Sequence, residues 1–136
     1  MTPQPGALPT TPLRTVEYLL PSVPAGVAKT RSLVRTELAG WGLHGAIDDC
    51  LLIVSELVTN AIRYGGSAYA LRLEDREGQL YGEVFDPGEG EPRPCSPDLN
   101  ALSGRGLQIV AAIAADWGVT SVSGGKVVWF ALACTA

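Results

Sequence analysis

The stretch IDDCLLIVSELVTNAIRY, residues 47–64, carries the clearest structural signal in this sequence. Five apolar residues in it recur at intervals of four, three, four and three, the spacing that places side chains on one face of an α-helix. The glycine pair Gly65-Gly66 follows directly and predicts where the helix ends. We therefore predict an amphipathic helix over residues 47–64. Its apolar face comprises Ile47, Leu51, Val54, Val58 and Ala61.

Weaker patterns on both sides of this helix predict the other elements. An amphipathic stripe indicates a helix over residues 25–38, and a third helical pattern starts at Gly106. Short β-compatible runs indicate five strands, and the last four of them form two pairs with hairpin spacing. The order β-α-α-β-β-α-β-β predicts an α+β two-layer sandwich with a largely antiparallel sheet and its helices on one face. The predicted strands are residues 15–20, 68–74, 79–85, 119–122 and 126–133.

Composition narrows the classes of function. The chain has 136 residues, a formal net charge of −4 and scattered basic residues, so we expect one domain that does not bind nucleic acid. No apolar run approaches the ~18 residues of a membrane span, so we expect no association with a membrane. Residues 1–13 hold four prolines and lack a signal-peptide pattern. We expect a disordered tail there, followed by one cytoplasmic domain over residues 14–136.

One side of the predicted helix over residues 47–64 carries polar residues that can do chemistry. Glu56 and Asn60 are four positions apart, so they project on the same side of the helix, away from its apolar face. The carboxylate of Glu56 can accept a proton from a hydroxyl group or from water. The amide oxygen of Asn60 is a hard ligand of the kind that Mg²⁺ prefers. A solvated helix face is the alternative interpretation of the same pair.

Two glycine-containing segments indicate ligand contacts. Residues 86–90 (DPGEG) follow a predicted strand, where Asp86 can accept a hydrogen bond from an exocyclic amine and the glycines let a flat ligand approach the backbone. Residues 104–106 (GRG) lead into a predicted helix, whose unpaired N–H groups favour an anion such as phosphate, as does Arg105. An ordinary turn and an ordinary loop are the alternatives. No GxxxxGK[ST] sequence is present, which excludes a P-loop.

Four segments together are more specific than any one of them. In chain order they are ELVTNA (56–61), DPGEG (86–90), GRGL (104–107) and GGKVVWF (124–130). The series resembles the N, G1, G2 and G3 boxes of the GHKL ATPase superfamily, and most closely its anti-sigma-factor serine kinase branch. The resemblance covers nearly the whole chain. It implies a Bergerat-type ATP-binding fold, with a mixed, mostly antiparallel sheet covered on one face by three helices.

The resemblance also implies a role for each motif residue. Asn60 corresponds to the residue that binds the Mg²⁺ bridging the ATP phosphates, and Glu56 to the carboxylate that orients or deprotonates the acceptor hydroxyl or water. Asp86 corresponds to the residue that binds the adenine amine. Lys126 and the backbone beside it would contribute to the nucleotide site. Further residues that the resemblance implies for the base pocket and the phosphates are Gly88, Gly90, Gly104, Arg105, Gly106 and Leu107.

The chain departs from the family pattern at several positions. A threonine is usual where this chain has Val127, so we expect one hydroxyl contact to be absent, with Lys126 and the Gly124-Gly125 backbone available in its place. Tyr64 stands where a histidine is frequent. The segment that corresponds to the lid, residues 91–103, contains three prolines. We expect a stiff lid that binds nucleotide loosely or releases it fast.

Two functions follow from these features. The resemblance implies a regulatory protein that binds ATP or ADP with Mg²⁺ and phosphorylates a serine of an antagonist protein in a partner switch. A sigma factor and that antagonist are the expected partners, and a homodimer is the expected assembly. The alternative is a module of the same fold in which ATP orders the lid for a protein partner without catalysis. A sensor histidine kinase domain and a gyrase-like or mismatch-repair ATPase are disfavoured, because we find no histidine-bearing dimerisation helix and no second domain.

Overall fold

The computed structural model describes residues 12–65, 68–87 and 108–134. These residues form five strands, three helical segments and one 3₁₀ turn. None of the described helices is long and apolar enough to cross a membrane. The elements are β1 Arg14–Leu20, α1 Gly26–Gly40, the 3₁₀ turn His44–Ala46, α2 Ile47–Gly65, β2 Tyr69–Arg76, β3 Gln79–Asp86, α3 over residues 108–113, β4 Asp116–Val122 and β5 Gly125–Ala133.

The strands form one antiparallel sheet with the order β1-β2-β3-β5-β4. Strands β2 and β3 form one hairpin and β4 and β5 another, and their turns contain Gly78 and Gly124 with φ of 82° and 86°. Glycine adopts this left-handed backbone readily because it has no Cβ. Strands β1 and β4 are the edges of the sheet. The prediction of a mostly antiparallel sheet with two hairpins is confirmed.

The helices pack on one face of the sheet. Helix α2 is central to this layer, and its residues Leu51, Val54 and Val58 are at most 2% exposed. Burying each such side chain contributes about 1.5–3 kcal/mol to stability. The predicted α+β two-layer sandwich is therefore confirmed. Other buried members of the same core are Val34 and Leu38 from α1, Val110 from α3, and Leu71, Leu73, Leu80, Val84, Val128, Phe130 and Leu132 from the sheet.

One strand boundary differs clearly from the prediction. Strand β4 begins at Asp116, three residues before the predicted start, because Trp117 and Gly118 pair with residues of β5. Gly118 lies opposite Trp129, and a Cβ at position 118 would lie 2.6 Å from the indole nitrogen. The absence of a side chain at Gly118 thus lets the indole lie across β4. This pairing depends on a residue distant in the sequence, so the local pattern did not indicate it.

Polar contacts tie the edge strand β1 to its neighbours. The Arg14 guanidinium donates to the Asp75 carboxylate from Nε at 3.1 Å and from Nη2 at 2.5 Å, and Nη2 also donates to the Trp41 carbonyl oxygen at 3.1 Å. The Tyr18 hydroxyl donates to Oε1 of Glu37 at 2.7 Å. Because Glu37 and Trp41 lie at the end of α1, these bonds hold that helix over β1.

One close approach in the core requires a glycine. Gly82 of β3 lies directly opposite Phe130 of β5, and the Phe130 side chain is fully buried. A Cβ at position 82 would overlap ring atoms Cζ and Cε1 of Phe130. Protein interiors are close-packed, so the ring has little room to move aside. The missing side chain at Gly82 is therefore part of the packing of the sheet against α2.

We expect Gly82→Ala to lower the free energy of unfolding by about 1–3 kcal/mol, the usual cost of overpacking a core. Gly40→Ala is the matched control, because Gly40 is exposed and a Cβ there has no neighbour within 4 Å. The control should leave stability unchanged or raise it by up to about 1 kcal/mol, since alanine favours the helix. Chemical denaturation measures both variants. A Gly82→Ala protein as stable as the wild type would contradict this packing.

Candidate functional site

A cleft opens between α2 and the sheet, at the end where β3 terminates. Residues of α2, β3, β4 and β5 line it. Three polar residues, Asn60, Asp86 and Lys126, stand among apolar ones, and all three are residues that the sequence predicts for a site. The described residues therefore form a cleft that combines apolar walls with a few polar groups, as binding sites for small molecules do. The apolar lining residues are Leu57, Ala61, Val84, Val119 and Val128.

Helix α2 carries Asn60 into the cleft. Its neighbours Leu57 and Ala61 are 4% and 2% exposed and belong to the core, so they fix the rotation of the helix about its axis. That rotation leaves Asn60 half-buried at the cleft wall. Glu56 lies one turn earlier on the same side and is also half-buried, but it does not line the cleft that the described residues form. The structure thus places Asn60 in the cleft and Glu56 beside it.

Asp86 is the last residue of β3 and is 8% exposed. Side chains alternate along a strand, so Asp86 lies on the same side of the sheet as Val84, which faces the helices. It therefore stands where the apolar wall of the cleft ends. A carboxylate accepts hydrogen bonds and donates none. This position suits Asp86 to bind N–H groups of a ligand.

A backbone contact with Gly125 fixes the position of Asp86. Gly125 is the first residue of β5 and is buried. A Cβ on it would overlap the carbonyl oxygen of Asp86 and would lie 2.8 Å from Cα of Pro87. Backbone atoms cannot rotate away as a flexible side chain can, so position 125 must be a glycine for the two strands to approach this closely. The approach sets where the strand that carries Asp86 ends.

Alternation along β5 separates the roles of two neighbouring residues. Lys126 lines the cleft together with Val128, whereas Val127 faces the other side of the sheet, opposite Phe85. The absence of a hydroxyl group at Val127 stays a prediction about the site, and the structure adds that Val127 does not line the cleft formed by the described residues. The residue of this segment that faces the cleft is Lys126, directly opposite Asp86 in the adjacent strand.

The structure adds one wall that the sequence analysis did not assign to a site. Val119 of β4 lines the cleft and is 47% exposed. A β-branched residue in a short strand gives no local sign of this role, since only the pairing of β4 with β5 brings it to the cleft. The remaining predicted site residues lie outside the described residues; they are Gly88, Gly90, Gly104, Arg105, Gly106 and Leu107.

Three titratable groups in or near the core, those of Tyr69, Cys50 and Cys134, have a raised pKa because of burial. Burial raises the pKa of Tyr69, and the hydrogen bond with Thr30, whose hydroxyl lies 2.7 Å from that of Tyr69, opposes the shift. Burial also raises the pKa of the fully buried Cys50 thiol and that of Cys134. Thiols with a raised pKa are poor nucleophiles because little thiolate is present. We therefore assign the two cysteines to packing, and Tyr69 and Thr30 to a buried hydrogen bond between β2 and α1.

Known proteins share this architecture. The sequence model of the histidine kinase-like ATPase domain matches residues 20–132. A comparison with curated proteins finds no match. The chain is similar in structure to the RsbU and RsbW domains of Rv1364c from Mycobacterium tuberculosis, with a TM-score of 0.70 and 20% identity over 90% of this chain and 33% of that one. The chain thus spans about a third of the length of that neighbour. At 20% identity, the similarity between the two is evidence for a shared fold alone. Because the family match includes most of its residues, the chain belongs to the histidine kinase-like ATPase family.

Proposed function

We propose that this chain binds ATP with Mg²⁺ in the cleft and transfers the γ-phosphoryl group to a serine of a protein partner. The observation that carries the proposal is that Asn60 from α2 and Asp86 from β3 line one cleft with apolar walls. An amide oxygen can bind Mg²⁺ at the phosphate end of a nucleotide, and a carboxylate can accept a hydrogen bond from the amine of the base at the other end. Membership of the histidine kinase-like ATPase family supports the choice of a nucleotide as the ligand.

The apolar end of the cleft suits the base of the nucleotide. Val84 and Val128 are cross-strand neighbours on adjacent strands, and Ala61 of α2 lines the cleft with them. These side chains can pack against the faces of a purine ring, whose polar groups lie at its edges. The Asp86 carboxylate then accepts a hydrogen bond from the exocyclic amine of adenine. With the base held there, the phosphates extend along α2 toward Asn60.

The Asn60 amide oxygen is the group of α2 that we assign to Mg²⁺. Magnesium keeps several waters and usually takes one or two protein oxygens together with substrate phosphates, so a single amide at the cleft wall fits its requirements. When bound, the ion neutralises charge on the phosphates. Asn60 is half-buried and on a regular helix, which fixes its reach into the cleft. We propose that Asn60 orients the phosphates for transfer.

Glu56 is the residue that we propose to act on the acceptor hydroxyl. It lies one helical turn from Asn60 on the same side of α2, so it reaches the region beside the phosphates. The serine oxygen forms a bond to the γ-phosphorus while the bond from that phosphorus to the bridging oxygen breaks. ADP leaves, and Glu56 accepts the serine proton. Positioning and electrostatic stabilisation supply most of the catalysis in phosphoryl transfer.

Residues between β3 and α3 complete the proposed site. We propose that Gly88 and Gly90 shape the base pocket. Gly104, Arg105, Gly106 and Leu107 would hold the phosphates through backbone N–H groups and a guanidinium. These assignments rest on the family resemblance of the two segments.

Protein partners and self-association form part of the same proposal. We propose a cytoplasmic regulator whose partners are a sigma factor and an antagonist that carries the target serine. We also propose a homodimer. Strand β1 supports self-association, because it is an edge of the sheet and its flank exposes Leu13 and Leu19 by 62% and 76%. Exposed apolar residues along a strand edge favour pairing with another chain.

One observation favours a second function, a nucleotide-dependent binding module without catalysis. Glu56 does not line the cleft that the described residues form, whereas Asn60 and Asp86 do. In this alternative, ATP binding in the cleft creates a docking surface for a protein partner, and no phosphoryl group is transferred.

Replacing Asp86 by asparagine tests the nucleotide site. Hydrogen bonds to charged groups contribute about 1.5–3 kcal/mol, so Asp86→Asn should weaken ATP binding by roughly tenfold to a hundredfold. Titration calorimetry with ATP and Mg²⁺ measures this change. Asp116→Asn is the matched control, because Asp116 is exposed at the start of β4 and outside the cleft lining; it should bind as the wild type does. If the wild type gives no heat of binding at millimolar ATP with Mg²⁺, the proposed nucleotide site is wrong.

Replacing Glu56 by glutamine separates the two functions. If Glu56 accepts the serine proton, Glu56→Gln should slow phosphoryl transfer by about 10²–10⁴-fold while ATP affinity changes by less than about threefold. Transfer is measured from γ-labelled ATP to serine of a protein that co-purifies with the wild-type chain. Asp49→Asn, an exposed acid in the first turn of α2, is the control and should remain active. ATP binding with no transfer by the wild type would instead establish the binding module.

A further inference from the structure

Three polar residues form one row across the sheet at the end of the cleft. Asp86 of β3 pairs with Lys126 of β5, and Lys126 pairs with Ser121 of β4. Residues directly opposite one another have their Cβ atoms about 4.5–5.5 Å apart on the same side of a sheet. The next row toward the core on this side is apolar and consists of Val84, Val128 and Val119.

The two charged residues of this row differ in chemistry and in freedom of movement. A carboxylate only accepts hydrogen bonds, and an ammonium group only donates them. Asp86 is buried, and the close contact of its backbone with Gly125 fixes its position. Lys126 is exposed and has a flexible four-carbon stem. The end of the cleft therefore presents a fixed acceptor beside a movable donor.

This pair is complementary to the edges of both purines. Adenine presents its amine, a donor, beside a ring nitrogen that accepts. Guanine presents a carbonyl oxygen, an acceptor, beside a ring N–H and an amine that both donate. Asp86 can bind the adenine amine while the exposed Lys126 extends away from the base into solvent. With guanine, Asp86 can accept from both N–H groups while Lys126 shifts to the carbonyl oxygen. A short neutral side chain at position 126 would lack this reach.

We propose that Lys126 determines base specificity and that it lets the cleft take guanine as well as adenine nucleotides. The inference rests on the proposed nucleotide site and goes beyond it in the class of nucleotide bound. Guanine depends on Lys126 more than adenine does, because its carbonyl oxygen would otherwise lose its donor in a cleft with apolar walls.

Calorimetry with the full chain and magnesium complexes of ADP and GDP tests this inference. We expect the wild type to bind GDP within about tenfold of its affinity for ADP. Lys126→Thr and Lys126→Met should each weaken GDP binding by at least about tenfold, as expected for a lost bond to a charged donor, and ADP binding by less than about threefold. Lys29→Thr, which changes an exposed lysine of α1, is the matched control and should alter neither affinity. Circular dichroism confirms that each variant is folded.

Two results would overturn the inference while leaving the proposed function intact. One is that the wild type binds ADP but binds GDP more than tenfold more weakly. The other is an equal loss of ADP and GDP affinity, or no loss, in both Lys126 variants; an equal loss would assign Lys126 to the phosphates, which the two nucleotides share. If the wild type binds neither nucleotide, the proposed function falls and the inference falls with it.

Discussion

The packing of α2 against the helix-facing side of the sheet is the constraint on which the other features depend. Leu51, Val54 and Val58 are almost completely buried, so α2 cannot rotate about its axis without exposing apolar surface. This fixed rotation is what places Asn60 at the wall of the cleft. The same constraint holds Glu56 one turn away, beside the cleft. Stability and site geometry thus come from one interface.

The part of the site that the sheet forms depends on two glycines, Gly82 and Gly125, as well as on the side chains that line the cleft. At Gly82 the space is filled by the buried ring of Phe130, which belongs to the core beneath α2. At Gly125 the space is filled by the backbone of Asp86. The two glycines therefore let β3 and β5 pack against each other along the cleft. A carboxylate at a strand end can position a ligand only if the strand end itself is held.

Local sequence patterns predicted the elements well because most of them are regular. The apolar period of α2 runs from Ile47 to Ala61, about four helical turns, and the two hairpin turns carry glycines that the backbone requires. Features that depend on contacts between distant parts of the sequence could not be predicted in this way. The start of β4 depends on the pairing of Gly118 with Trp129, which no window of neighbouring residues contains. The side of the sheet that Val127 faces depends on strand register, and only the pairing with β3 shows that Lys126 faces the cleft. Asn60 and Asp86 were predicted as site residues, yet the position of Asp86 relative to Asn60 and Glu56 depends on how α2 packs on the sheet.

The central claim is that α2 and the ends of β3 and β5 form one cradle for a magnesium-bound nucleotide. A crystal structure with a non-hydrolysable ATP analogue and Mg²⁺ tests it most directly. The account predicts the base between the apolar walls with its edge against Asp86, and the metal on the amide oxygen of Asn60. An analogue bound elsewhere on the molecule, or bound in the cleft with Asn60 and Asp86 both turned away from it, would contradict the account.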